Sequence, residues 1–455
     1  MEDAKVLQQE RISIYHDIYD DRVPKRVPVN INLPFEVIAQ FGGLDLRQAQ
    51  WNPGMLEETV DRICKMVYSD VCVFMGSFRY PSFYHILKSQ SFKMASNGYI
   101  QHPEVSGMYP EDYDYLIKNP YDCLVERVIP RLYKAFNPDD PIDFALNFAK
   151  SLLAYKEDFA LSAEIRKKMI DKYGYYPEGL FSENCGFTET PFDFLADQLR
   201  GFKGISRDIR KIPGKVAAAC EALYPLMFKK GLPKKITKYS LVFLPLHMPP
   251  FLREEDFAKL YWPTFKRLLD EYASMGIRCT VFCEHDWMRY LDYLYELPTD
   301  TTLWFEYGNP KLIKEKLGKK HIITGLYPIM NLKTKTKKEC VEETKKYVDI
   351  LAPGGKYIFN FDKSPLLLSD IKLENLCAVA ETVRDYAVYT NPGEISGMVF
   401  KKEDYKASAL RNFGSRYYIS REEYEKLYPE LSDFARGKLE RLDDEMFGYL
   451  IFLLL

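Results

Sequence analysis

The sequence predicts an α/β protein organised as a (β/α)8 TIM barrel. Three observations predict it. Eight short runs of apolar and β-branched residues are spread along the first 400 positions. A helix-like stretch follows each run. Several runs also stop abruptly in ionisable residues, as strands do where a β/α fold carries its chemistry.

The runs, in order, are 27–33 (VPVNINL), 71–75 (VCVFM), 179–185, 239–246 (YSLVFLPL), 278–283 (RCTVFC), 302–305 (TLWF), 321–325 (HIITG) and 357–361 (YIFNF). The helical stretches between them are 55–68, 141–173, 191–228, 254–274, 287–296, 310–317, 337–351 and 369–388. A doubly wound open sheet is the alternative, but no GxGxxG follows the first run, which removes its most familiar cofactor. Two regions break the repeat. Residues 76–140, rich in Tyr, Pro and Ser, form a long insertion after the second run, expected to cover the C-terminal face. Residues 401–455 follow the barrel (1–400) as a helical extension, with charged helices expected at 403–410 and 421–439. An apolar tail (447–455, FGYLIFLLL), too short to span a bilayer, is expected to dock on the protein body or on a partner.

The 63 basic and 65 acidic residues nearly cancel, so charge gives no case for a nucleic-acid partner or an anionic membrane. No apolar stretch reaches the ~18 residues of a transmembrane helix. Nine cysteines without a CxxC pair, behind a charged and polar N-terminus, point to free thiols in a reducing cytoplasm.

The chemistry is expected around 278–287, RCTVFCEHDW. Alternation puts Phe282 and Glu284 on one face and Cys283, packed against helices, on the other. Glu284 ends the fifth run, Glu306 the sixth (LWFEYG) and His247 the fourth (LPLHMPP). Two carboxylates and an imidazole have the donor types of a zinc site with an open position, or of a hydrogen-bonded polar ring without metal. His285 is a candidate proton donor or ligand beside Glu284. His321 starts its run and belongs to the opposite end. In the insertion, His102 and Glu104 (QHPE) are expected to reach over the mouth. Glu189 and Asp193 lie in the loop after the third run, where Asp193 is equally suited to helix capping. Tyr327 follows the seventh run as a candidate pocket wall.

Four stretches together resemble the uroporphyrinogen decarboxylase superfamily: 186–216 (GFTETPFDFLADQLRGFKGISRDIRKIPGKV), 261–287 (YWPTFKRLLDEYASMGIRCTVFCEHDW), 322–328 (IITGLYP), and 352–359 (APGGKYIF) with LENLCAV after it. The insertion segment 97–120 (NGYIQHPEVSGMYPEDYDYLIKNP) is similar to a branch of corrinoid-linked methyltransferases that includes demethylases of methyl ethers. The resemblance implies a (β/α)8 barrel with its site at the C-terminal mouth. It also implies differences. Decarboxylases of the family carry two arginines after the first strand for their many-carboxylate substrate; here 30–41 (NINLPFEVIAQF) has none. Thiol-methylating members carry His-x-Cys and a further Cys as zinc ligands; the matching positions are Phe282, Glu284 and Asp362 or Lys363.

The expected function is therefore transfer of a methyl group from a small methylated substrate, an O-methyl ether and perhaps an aromatic one, to the cobalt of a separate corrinoid protein. Breaking the ether C–O bond leaves an alkoxide or phenoxide, which a proton or a Lewis acid must stabilise. No D-x-H-x-x-G corrinoid motif is present, in keeping with a partner that carries the corrinoid. Glu284 and His285 are the expected catalytic residues, and His102, Glu104, Glu189 and Tyr327 the substrate-binding ones. Glu284, Glu306 and His247 are the expected metal ligands if zinc is used. A lyase for a carboxylated substrate and a non-catalytic binding barrel are the alternatives. Oligomeric state is not legible.

Overall fold

Parallel strands buried on both faces read as continuous apolar runs, and six of the eight predicted runs become strands of one sheet. The computed structural model of the chain describes residues 2–137, 139–407 and 413–455. A small antiparallel hairpin of β1 (Lys93–Met94) and β2 (Ile100–Gln101) lies in the insertion. The main sheet contains β3 (Cys185–Phe187), β4 (Leu241–Leu246), β5 (Arg278–Asp286), β6 (Thr302–Tyr307), β7 (Ile322–Gly325) and β8 (Tyr357–Ile358). They are parallel and follow chain order across the sheet.

The two earliest runs do not form ladders. Val29 makes a single parallel bridge to Phe359, and Leu33 one to Phe74. Side chains replace the missing backbone partners: the Asp70 carboxylate accepts from Val29 N at 2.8 Å, and Ser69 Oγ accepts from Ile31 N at 3.1 Å. These bridges extend the sheet past β8 to the 27–33 and 71–75 runs. Among the described residues no ladder joins 71–75 to β3.

Several helices begin and end where local chemistry dictates. Asp140 caps Pro141–Tyr173, accepting from Asp143 N, with Pro141 at the first position and Gly174 in left-handed conformation at the end. Thr336 and Glu339 form a capping box for Lys337–Leu351. The predicted 191–228 stretch is instead broken into Pro191–Asp193, a π-helical turn Phe194–Arg200, Gly201–Lys211 and Pro213–Gly231. A helix the patterning did not single out, Glu2–Tyr19, docks under the sheet with Tyr15 stacked on Tyr176 at 4.2 Å.

The insertion folds into short helices that pack with Pro141–Tyr173 and with the C-terminal helix Asp433–Phe452. The apolar tail docks on this body. Phe452 packs on Phe83, Tyr155 and Phe159, and the Tyr133 hydroxyl donates to Leu453 O. The helix expected at 403–410 falls partly on 408–412, outside the described residues; its described part holds a 3-10 turn, Lys402–Asp404. No helix among the described residues is long and apolar enough to cross a membrane.

At the N-terminal ends of the strands lies a buried ionic cluster. Lys356 donates to Asp21 Oδ1 at 2.6 Å and to Asp300, and Arg278 Nε reaches Asp300 at 3.4 Å. Lys356 and Asp300 are fully buried. Removing one member strands the others in low dielectric, so Lys356→Met should destabilise the chain by about 3–5 kcal/mol. Urea unfolding followed by circular dichroism checks this, and a shift under 1 kcal/mol would show that the cluster is hydrated.

Candidate functional site

Strand register builds the inner face in tiers. Phe187 pairs with Phe243, Pro245 with Phe282, and Phe282 with Trp304. The rings lie close: Phe187 and Phe243 at 6.0 Å, Phe243 and Trp304 at 6.3 Å, Phe282 and Trp304 at 4.5 Å. The Trp304 indole N–H donates to Phe361 O at 2.9 Å, which fixes its orientation. All four rings are only partly buried, so this aromatic tier borders open space.

The next tier towards the C-terminal edge is ionisable. Leu246 pairs with Cys283, so one residue further along both strands His247 meets Glu284. His247 Nε2 is 3.3 Å from Glu284 Oε1, and His247 Nδ1 is 3.0 Å from Asp197 Oδ2. Asp197 belongs to the π-helical turn Phe194–Arg200. The wider turn resets the side-chain phase after Asp193, and it ends at Gly201, whose φ of +70° suits glycine.

Asp193 anchors the arrangement. Its backbone N–H donates to Thr190 Oγ1 at 3.0 Å. Its carboxylate accepts from the Tyr261 hydroxyl at 2.6 Å, from Thr190 Oγ1 at 2.9 Å and from Met248 N at 2.9 Å. The buried Glu189 completes the group, with Oε1 accepting from Gln198 Nε2 at 2.8 Å and Oε2 without a partner.

Four carboxylates thus surround one imidazole. Burial, then the charge of Asp197, raises Glu189 to about 8 and Asp193 to about 7. Burial alone would lower His247, but Asp197 and Glu284 outweigh it and hold the imidazolium up to about 10. Burial also raises Glu284, with His247 opposing and Glu306 adding to the rise. At neutral pH the site therefore stores protons on His247 and Glu189.

Glu284 and His247 are brought together as expected, and Glu189 joins them. Glu306 is a neighbour with other engagements. A bulge between Cys283 and Asp286 inserts His285, at φ +57°, into the β5–β6 pairing. Its N–H donates to Glu306 Oε2 at 2.8 Å, and Lys363 Nζ donates to Glu306 Oε1 at 2.6 Å. Burial would raise Glu306, but these contacts hold it below the usual carboxylate range. The His285 ring is exposed and edges onto Phe251 at 5.5 Å.

Among the described residues no three His, Cys, Asp or Glu side chains are arranged to hold a metal. Of the expected ligand set, Glu306 is already engaged by the His285 N–H and by Lys363.

The remaining candidates are more distant. His102 is exposed and stacks on Phe92 at 4.4 Å; burial and Arg79 lower it, while Asp197 raises it. Glu104 accepts from Lys203 N at 3.2 Å and so caps the Gly201–Lys211 helix rather than facing the cluster. Together with Met108 N donating to Leu199 O at 2.9 Å, this seats the insertion against the segment that carries Asp197. Tyr327 is fully buried, packed on Tyr347, Phe359 and Phe361, with its hydroxyl donating to Cys340 O at 3.3 Å. It is a core residue: the inner face of β7 is the Thr324 face, and Tyr327 falls in the opposite phase. Cys283 is buried behind the sheet as expected. His321 begins at β7's N-terminal side, fully buried, and burial pushes it down to about 3.

Asp197 and Gln198 were not singled out by sequence. The available signal was the spacing of Asp193 and Asp197, two acids at i and i+4 in the otherwise apolar PFDFLADQL.

No family model and no curated protein matches the chain. Among solved structures it is similar to a methyltransferase from Methanosarcina mazei, with 13% identity and a TM-score of 0.50. The match covers 84% of this chain and 98% of that one. This likeness establishes a shared fold.

The proton inventory makes stability depend on pH. Glu189 and His247 both have folded pKa values above their unfolded ones. Their stabilisation is complete below the unfolded values, near 4.5 and 6.5, and is lost as pH rises through about 8 and about 10. The chain should therefore lose stability from pH 5 to pH 10. Glu189→Gln should flatten the lower part of that loss, by on the order of a few kcal/mol at pH 9. Denaturation midpoints at several pH values check it; parallel pH profiles for the variant and the parent would contradict it.

Proposed function

We propose that the chain is a methyltransferase that moves a methyl group from an O-methyl ether, preferably an aryl one, to the cobalt of a corrinoid carried by a partner protein. The observation that carries this reading is the His247 imidazolium, held by Asp197 and Glu284 directly above the tier of Phe187, Phe243, Phe282 and Trp304. The shared fold with a chain titled as a methyltransferase supports it. The reading takes the parallel array as a (β/α)8 barrel, closed between the 71–75 run and β3, with the cluster at its C-terminal mouth.

Reduced corrinoid cobalt supplies the nucleophile as the methyl acceptor. The bond that forms joins cobalt to the methyl carbon; the bond that breaks is methyl C–O, and its electron pair stays on oxygen. The chain's own task is to bind the ring on the aromatic tier and neutralise that oxygen. His247 Nε2–H is the proton source. Burial would lower its pKa, but Asp197 and Glu284 raise it to about 10, so the proton is in place when the donor binds. Asp197 on Nδ1 and Glu284 on Nε2 keep the ring protonated and aimed until the donor displaces Glu284.

A second reading has its own support. Even with Glu189 protonated, Asp197, Glu284 and Glu306 outnumber the cations His247 and Lys363, and carboxylates above aromatic rings also suit a methylated ammonium donor. The same surplus disfavours an anionic substrate, and with it the lyase alternative.

Methyl transfer to cob(I)alamin, followed by the cobalt spectrum, tests the proposal with anisole-type ethers, methylated amines and carboxylated substrates side by side. His247→Gln should lower the rate with methoxybenzene at least ~10²-fold. With a nitrophenyl methyl ether the loss should shrink, because that leaving group needs no proton. Equal losses on both ethers would remove His247 as the acid. Turnover of ammonium donors alone would favour the second reading, and release of carbon dioxide from a carboxylated substrate would replace both.

A further inference from the structure

Among the described residues five arginines are more than nine-tenths buried: Arg11, Arg26, Arg166, Arg200 and Arg278. Four are neutralised by carboxylates. Arg11 and Arg26 pair with Asp70, Arg200 with Asp208 and Arg278 with Asp300. Arg166 pairs with none among the described residues. It reaches from the long helix Pro141–Tyr173 and lines a cavity of about 40 Å³ against the inner face of the sheet. Its Nη2 donates to Leu180 O at 2.8 Å, its face lies over Phe181 at 5.4 Å, and its Nε has no partner.

The rest of the cavity wall is short of negative charge and rich in idle donors. No Asp or Glu lines it. The hydroxyls of Tyr15, Tyr176, Thr302 and Thr324, and one acceptor, Asn30 Oδ1, all on the wall, have no hydrogen-bond partner. Of the nearby thiols, burial drives Cys185 up to about 12, whereas Cys72, which is not on the wall, is held below its ordinary value by its hydrogen bond to Cys64 and, against burial, by the charge of Arg166. A guanidinium cannot discharge itself by losing a proton, and an isolated buried charge costs several kcal/mol. A cavity needs only ~10–15 Å³ to hold a water-sized occupant.

We propose that this cavity is a binding site for one small monovalent anion, of halide or formate size, held by Arg166 with the Tyr and Thr hydroxyls around it. The volume is too small for a large organic acid, and the cavity adjoins the aromatic tier through Trp304 while none of the His247 cluster lines it.

Thermal unfolding of the full chain tests the site, with sodium bromide or sodium formate exchanged for sodium gluconate at constant ionic strength. Gluconate is too large for the cavity. The unfolding midpoint of the wild-type chain should rise with bromide and with formate, in proportion to log concentration above the dissociation constant. Arg166→Met should abolish that dependence. An equal rise in both proteins would be a general salt effect, and no rise in the wild type would leave Cys72 or water as the compensation; either result overturns the proposal. Should Arg166→Met fail to fold, crystals of the wild-type chain soaked in bromide decide the matter. An anomalous peak within hydrogen-bond reach of Arg166 supports the site, and its absence at saturating bromide rejects it.

Discussion

The Asp193 carboxylate holds the candidate site in register. Within one buried group it accepts from Thr190, from Tyr261 and from the backbone of Met248. Those partners belong to three segments: the turn after β3, the helical stretch preceding β5, and the loop after β4. None of the three is bound to the others by a sheet ladder at that height. Met248 adjoins His247 in sequence, and Asp197 lies one helical turn beyond Asp193. The same carboxylate therefore fixes the spacing of the imidazole and one of its two carboxylate neighbours. A satisfied buried polar network gives the site rigidity that an exposed loop would lack.

Around that anchor the sheet sorts chemistry by depth. Parallel strands in matched register bring residues of one phase to the same height, so aromatic rings gather in one tier and ionisable groups in the next. The aromatic tier lowers the local dielectric beneath the charges and strengthens their mutual effects. Burial and like charge raise Glu189 and Asp193, while Asp197 and Glu284 keep His247 protonated. The tiers are thus coupled: flatter or more hydrated surroundings would return each group to its ordinary titration range.

Much of this was legible in the sequence, and what was missed has specific causes. β4 to β7 read correctly because strands covered on both faces are continuous apolar runs. Helix ends at Pro141, Pro310 and Lys337 were marked by Asp140, Asn309 and the Thr336–Glu339 box. The pairing of Glu284 with His247 followed from strand ends alone. Irregular backbone defeated the rest. A 3.6-residue pattern cannot anticipate the π turn that presents Asp197, and strict alternation cannot anticipate the bulge at His285 that diverts Glu306 to a backbone donor. The 27–33 run was read as a strand, yet Asp70 and Ser69 side chains take the donors its ladder would have used. Tyr327 was a different error: counting in twos from Thr324 already placed it among the helices.

The inner face also carries two opposite electrostatic regimes on one sheet. At the C-terminal edge carboxylates predominate, and an anion approaching from that side meets Asp197, Glu284 and Glu306 first. Deeper in, the cavity wall offers Arg166, unpaired hydroxyls and no carboxylate. An anionic substrate bound at the edge would face repulsion there, while the Arg166 guanidinium lies in a cavity of about 40 Å³, too small to admit it. The two regimes therefore select for different ligands. The edge, with Asp197, Glu284 and Glu306 around His247, suits a neutral or cationic ligand. The interior suits a small anion. Separation of charge by depth lets a chain whose acids and bases nearly cancel overall keep strong and opposite local fields.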